Sequence, residues 1–226
     1  MRLAMIVLLA LPSLAAAQDD DFMFLGAGGY ARPKFEGSSE RTVELIPAVR
    51  YFGKPWFART TQGILEGGAQ WNLRRGLDGG VQLAYESGPL DHDPNASIGL
   101  HLEGDSKIGP APVNGLLRVR QQLRSDRGAQ FDARGTVGVY GGHGILAGLY
   151  AQATWATEKF FETYYGVHES GLFYTAVGAL GSYDLTQRWI LFGSLESRRL
   201  SDDAARSPIV ERRSGTYASL SLAYRF

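Results

Sequence analysis

Apolar and polar residues alternate with a period of two along most of this chain. The final stretch shows it most cleanly. Leu220, Leu222, Tyr224 and Phe226 fall on one face, Ser219, Ser221, Ala223 and Arg225 on the other, and the sequence stops on an aromatic. Side chains of a strand point alternately to its two faces, so this is a strand with one apolar and one small or polar face. The pattern recurs upstream. Val43, Leu45, Val49 and Tyr51 oppose Thr42, Glu44 and Arg50, and Leu65, Ala69, Trp71 and Leu73 oppose Glu66, Gln70 and Asn72. Val81, Leu83 and Tyr85 oppose Gln82 and Glu86, and Phe131, Ala133, Val137 and Val139 oppose Gln130, Asp132, Arg134 and Tyr140. Ile145, Ala147, Leu149 and Trp155 oppose Tyr150, Gln152 and Thr154.

Twelve strands are predicted, near 22–31, 42–52, 56–63, 65–74, 78–87, 96–104, 112–123, 129–140, 144–156, 171–183, 188–199 and 215–226. Most are as long as a tilted strand needs to be to cross a bilayer. The weakest patterns are at 56–63 and 96–104; without them the count falls to ten. The connections sort by parity. Even-to-odd turns are short, at 53–55, 75–77, 105–111, 141–143 and 183–187, whereas odd-to-even connections at 32–41, 87–95, 157–170 and 200–214 are longer and polar. Short turns on one side and long loops on the other, with an even strand count, are the pattern of a bacterial membrane barrel. The expected fold is therefore all-β: a transmembrane antiparallel up-and-down β-barrel of about twelve strands, with ten as the alternative. The last strand would close it, with Phe226 at the lipid interface.

The inward face then has to hold charge of both signs. Glu44, Glu66, Glu86, Asp132 and Glu196 are its acids, and Arg50, Arg118, Arg120, Arg134 and Arg198 its bases. An arginine at the lipid midplane would cost roughly 2–4 kcal/mol, which directs these residues to the lumen. Two readings stay open: a pore lined by arginines, or a closed core in which the balanced charges pair.

The start of the chain reads as an export signal. Arg2 precedes the apolar run 3–11, and Ala15-Ala16-Ala17 supplies a cleavage site after Ala17, making 1–17 a signal peptide and 18–226 one barrel domain. No further apolar stretch is long enough for a membrane helix. The sequence has no cysteine, which excludes disulfides, thiolate metal sites and lipid attachment through cysteine. Its formal net charge is zero, so nothing points to nucleic acid.

Signs of catalysis are faint. Gly26-Ala27-Gly28-Gly29 follows an apolar segment, but Arg32-Pro33 stands where a dinucleotide fold would start its helix. His92, His101, His143 and His168 are scattered, without metal-ligand spacing; His92 between two aspartates and His168-Glu169-Ser170 are the closest to a rim hydrolase arrangement. The expectation is a protein that is not an enzyme, with no catalytic, cofactor or metal residues and no cofactor.

Particular elements give the chain a family likeness. They are Gly26-x-Gly28 in the first strand, Pro33-x-Phe35-x-Gly37-Ser38 in the first loop, Tyr164-Tyr165-Gly166-Val167, Ser207-Pro208-Ile209-Val210 and the closing Ala223-Tyr224-Arg225-Phe226. With these the chain resembles the MltA-interacting protein / OmpV family of outer-membrane proteins; the region 88–128 departs most, and Phe35 stands where the family usually has Tyr. The resemblance implies a cell outer-membrane barrel surrounded by lipid. It also implies a scaffold that links a murein transglycosylase to a penicillin-binding protein in a Gram-negative envelope, and no catalytic residues. A narrow channel or a surface adhesin is the alternative.

Overall fold

The computed structural model describes residues 22–86 and 95–226. The predicted signal peptide at 1–17 with its cleavage site, and His92 with its flanking aspartates, lie outside the described residues. The chain forms a closed antiparallel barrel in which each strand pairs with its sequence neighbours and the first pairs with the last. The strands are β1 (Phe22–Pro33), β2 (Arg41–Gly53), β3 (Trp56–Thr61), β4 (Ile64–Arg74), β5 (Leu77–Glu86) and β6 (Asn95–Ile108). They continue as β7 (Ala111–Gln122), β8 (Ala129–Gly142), β9 (Ile145–Ala156), β10 (Gly171–Asp184), β11 (Trp189–Leu200) and β12 (Ser214–Arg225), with helix α1 (Glu158–Tyr165) between β9 and β10.

The twelve expected strands are all present, and the ten-strand alternative is overturned. The two strands with the weakest patterns are both present: β3 pairs with β4 over its whole length, and β6 pairs with β5 and β7. Their inward sides are polar, with Arg59, Ser97, His101 and Glu103 buried, so apolar counting undersells them. β6 also runs on to Ile108, so 105–108 is strand where a turn was expected, and only Gly109 and Pro110 turn the chain. Tyr140 needs a further correction. The register between β8 and β9 shifts between Gly138 and Tyr140, which carries Tyr140 to the outer wall, half exposed, rather than to the lumen. A bulge adds one residue to a strand, and one residue reverses every face beyond it. Finally, the connection 157–170, expected as plain loop, contains α1.

The two ends of the barrel differ as expected. At one end the even-to-odd connections are two to four residues long; the longer connections 157–170 and 201–213 crowd the other. The exception at this loop end is β3–β4, joined by Gln62 and Gly63 alone. Its shortness leaves a notch. β2 meets β3 only at residues 50–53, so among the described residues 41–49 pair with β1 alone. The bond from Lys34 N to Glu40 O sets the phase of the β1–β2 ladder, so odd residues of β2 point their backbone groups into the notch. Pro47 is one of them. A proline there sacrifices no ladder bond and blunts an open edge against stray pairing.

The outer wall is apolar, with Val43, Leu45, Leu83, Leu100, Leu195 and Leu220 all exposed. Aromatics gather towards the turn end: Trp56, Trp71, Tyr140, Tyr183, Trp189 and Phe226 are exposed, and the Tyr224 ring lies 5.3 Å from Trp189 and 5.1 Å from Phe226. This is the girdle a barrel places at the lipid–water boundary. Phe226 N also donates to Met23 O at 3.0 Å, tying the last residue to β1. Tyr224→Asp puts a carboxylate into that girdle; it is expected to cut the heat-modifiable form in outer-membrane fractions severely, and normal levels would show that β12 does not face lipid.

Candidate functional site

The lumen is crossed by one continuous chain of ion pairs. Glu103 on β6 takes Arg59 Nη1 of β3 at 2.8 Å, and Arg59 Nε lies 2.9 Å from Glu66 Oε2 on β4. Arg118 on β7 pairs with the other oxygen of Glu66 and sets its Nη2 2.8 Å from Asp132 Oδ2 on β8. Arg120 then lies 3.4 Å from Asp132 and 3.2 Å from Glu86 Oε2 on β5. β3 and β8 stand five places apart in a ring of twelve, so these links span the bore. Neutral groups complete the carboxylates: Thr154 Oγ1 donates to Asp132 at 2.8 Å and Asn114 Nδ2 to Glu103 at 3.0 Å. All but Glu86 are nearly sealed from solvent. Burial of this kind is tolerable only when each charge meets an opposite charge and its remaining lone pairs are bonded.

A second hub sits nearer the loop end. Arg198 on β11 pairs with Glu196 and with Glu36 of the first loop, and its guanidinium lies 4.0 Å over the Tyr217 ring. Tyr150 OH donates to Glu196 at 2.5 Å, and Tyr217 OH donates to Glu36. Glu44 pairs with Arg32 at 2.5 Å. Arg134 has no acid within ion-pair distance among the described residues; its guanidinium stacks 3.9 Å over Tyr150. Arg50 lies 4.8 Å over Phe52.

Above this hub the loops form a cap. Phe160, Phe161, Tyr164 and Tyr165 recur at helical spacing on α1 and pack with Phe173 and Tyr174 of β10 into the largest apolar cluster. Gly166 ends the helix in the left-handed conformation at φ 64°, with its N–H bonded to Glu162 O. Tyr165 is the joint: its hydroxyl donates to Glu36 O at 3.0 Å, and its own carbonyl accepts from Ser207 Oγ at 2.5 Å. Burial pushes that hydroxyl well above the usual tyrosine range. Gly37, at φ 103°, abuts Val210 and Leu200. Ser39 donates from both backbone and side chain to Glu211, which holds that carboxyl below its ordinary range. The three loop segments that carried the family likeness, at 33–38, 164–167 and 207–210, thus meet in one place. A cavity of about 110 Å³ remains below the cap, lined by Glu36, Glu44, Arg118, Arg120, Arg198 and Tyr217 among others.

The inward acids and arginines expected from the sequence lie on the lumen side, with Arg59, Glu103 and Glu36 added to them. Arg59 and Glu103 hid in the two weakest strands. Glu36 sits in a loop, where no periodicity marks a side chain that reaches into the barrel. The aromatic spacing 160, 161, 164, 165 was a legible helix signal inside a segment read as loop. The described histidines stay apart: His101 sits edge-on to Phe57 at 5.1 Å, His143 is 3.4 Å from Tyr140 OH, and exposed His168 is 3.8 Å from Glu162. No nucleophile is aligned with any of them among the described residues.

Residues 25–226 match the family of MltA-interacting protein MipA. The chain belongs to that family. No curated protein matches it in sequence. Among solved structures it is similar to the NanC porin, with TM-score 0.52 and 12% identity over 90% of this chain and all of that one. A bacterial polysaccharide outer membrane secretin gives TM-score 0.46 at 11% identity over 90% of this chain and 98% of that one. An anion-selective porin from Comamonas acidovorans gives 0.37 at 13% identity over 80% and 60%. At 12% identity the likeness to the NanC porin is one of fold. Family and barrel together are those of an outer-membrane barrel protein.

Proposed function

We propose that this protein is a non-enzymatic scaffold of the cell envelope, exported by its signal peptide, whose work is done on its rims rather than through its bore. The observation that carries the reading is the ion-paired chain from Glu103 to Glu86 beneath an aromatic cap, which leaves no wide conduit. In this reading the loop end faces outside and the turn end the periplasm. Partners dock at the turn end, where Arg74, Arg75, Lys107 and Arg188 are exposed on four strands and turns. The family's name points to a murein transglycosylase as one partner; a penicillin-binding protein is the second, in keeping with the scaffold role.

The test is capture from detergent-solubilised outer membranes with wild type and with an Arg74→Glu/Arg75→Glu/Lys107→Glu variant. Wild type is expected to retain a transglycosylase and a penicillin-binding protein, and the reversed rim to lose at least about tenfold, since charge reversal at an interface costs several kcal/mol. Equal capture by both would remove the rim from the reading. Planar-bilayer recording of the pure protein is expected to show little conductance. Large, steady, ohmic conductance would favour a channel and demote the scaffold. Orientation is read separately: with no native cysteine, a single cysteine at Glu169 should react with an impermeant maleimide on intact cells and one at Gly142 should not.

A further inference from the structure

Two exposed arginines stand on the lipid-facing wall at the loop end. Along β11 the outward residues are Leu195, Ser197 and Arg199, while Glu196 and Arg198 turn inward. Arg199 pairs in register with Ser214 of β12 and is exposed. Arg41 is the outward, exposed first residue of β2, and its Nη2 donates to Thr216 O at 3.0 Å. That bond draws its guanidinium across β1 onto β12, two residues along the strand from Ser214, the partner of Arg199, so both cations stand over the same end of β12. On the neighbouring loop Asp202 is already engaged by Arg213, and neither Arg41 nor Arg199 has an acid within ion-pair distance among the described residues.

Directly towards the membrane centre from these arginines the wall is concave. A trough of about 930 Å³ runs across β7–β12, bounded among others by Leu149, Ala151, Val177, Ala179, Leu195 and Thr216. Its outward residues alternate with the buried Thr136, Tyr150 and Glu196, so it opens on the lipid side. Small residues form its floor where β8 and β9 run side by side, with Gly135 paired to Ala151, and Ala179 of β10 adds to it. Leu149, Val177 and Leu195 stand up as its banks, each about half exposed or more. Ser197 and Thr216, at its loop-side edge, join it to both arginines: Ser197 lies two residues from Arg199 on the same face, and Thr216 accepts from Arg41.

We propose that this combination is a seat for a phosphorylated glycolipid of the surrounding leaflet, its phosphates held by Arg41 and Arg199 and an acyl chain lying in the trough. Guanidinium groups bind phosphate through paired, charge-assisted bonds, and a cation on a barrel wall is unfavourable unless it sits at the interface with such a partner. A trough of small residues accepts a chain that a wall of leucines would push away. The seat rests on the outward orientation of the loop end given above. A glycolipid fits two cations better than a single-phosphate lipid does, because its phosphates can be engaged separately.

The test uses the full mature chain folded in detergent free of bacterial lipid, with bisphosphorylated lipid A as probe and native mass spectrometry as readout. One-to-one adducts are expected to survive transfer, with phosphatidylglycerol at equal concentration giving at least about tenfold less. Arg41→Glu/Arg199→Glu should lower the lipid A adduct at least about tenfold, and Leu195→Trp, which fills the trough, should also lower it. Arg206→Glu, which alters an exposed loop cation, should leave it unchanged. Equal retention of phosphatidylglycerol, or adducts indifferent to the arginine pair, would overturn the seat. So would a dimer, abolished by Leu195→Trp, in place of the lipid adduct, since the trough would then hold a second copy. Fractionation separates the two readings: a chain that does not co-sediment with outer membranes defeats the location, whereas one that does yet forms no adduct defeats the seat alone.

Discussion

Gly28→Val is expected to prevent the barrel from closing. β1 and β12 are the one neighbouring pair not adjacent in sequence, and their pairing over residues 24–31 closes the ring. Gly28 and Gly26 face inward there, opposite Ser221 and Ala223. A Cβ on Gly28 would lie 1.9 Å from Ser221 Oγ and 2.4 Å from Leu220 O; one on Gly26 would lie 2.0 Å from Leu222 O. Most of those atoms are backbone, so no rotamer change relieves the clash; β1 would have to leave the ladder. An open barrel exposes unpaired backbone to lipid at several kcal/mol per group. The expected result is near-complete loss of the heat-modifiable monomer and of outer-membrane recovery. Gly115→Val is the control, since a Cβ there meets nothing within 4 Å. If both variants accumulate equally, the Gly-x-Gly of β1 is not what lets the seam close.

That seam shows how far the sequence was legible. Period-two alternation located every strand because lipid outside and charge inside demand opposite chemistries at successive residues. It said nothing about which lumen charges meet. Arg118 touches Glu66 from 52 positions away, and Arg198 touches Glu36 from 162 away; such pairings follow from ring closure and stagger, which no local window contains. Tyr140 was misplaced for a related reason: a bulge is a single-residue event with no compositional mark at Val139. The cap was partly legible. Its three segments were recognised separately, but that Tyr165, Glu36 and Ser207 bond one another is a fact of three loops folding over one mouth.

Removing Arg118 should have the largest effect of any change to a lumen charge. Its side chain is almost wholly enclosed and is the link that joins the Arg59–Glu66 half of the chain to the Asp132–Arg120 half. Arg118→Ala leaves Glu66 with Arg59 and Asp132 with Arg120, each short of one partner in a closed space. Breaking a buried pair by removing one member costs about 3–5 kcal/mol, whereas an exposed pair is worth about 0–1. Arg118→Ala should therefore lower the denaturant midpoint in detergent markedly, while Arg206→Ala, whose partners Glu169 and Asp203 are exposed, should barely move it. The triple change Arg118→Leu/Glu66→Leu/Asp132→Leu tests the cause. It replaces the uncompensated charges with apolar volume, so it should recover much of the loss if electrostatics is responsible and none if shape is. Arg118→Ala also deletes the side chain that bridges the bore. The surviving folded fraction should then conduct small ions in planar bilayers well above the little conductance expected of the wild type. A variant that is both as stable and as non-conducting as the wild type would mean that the lumen is held shut elsewhere.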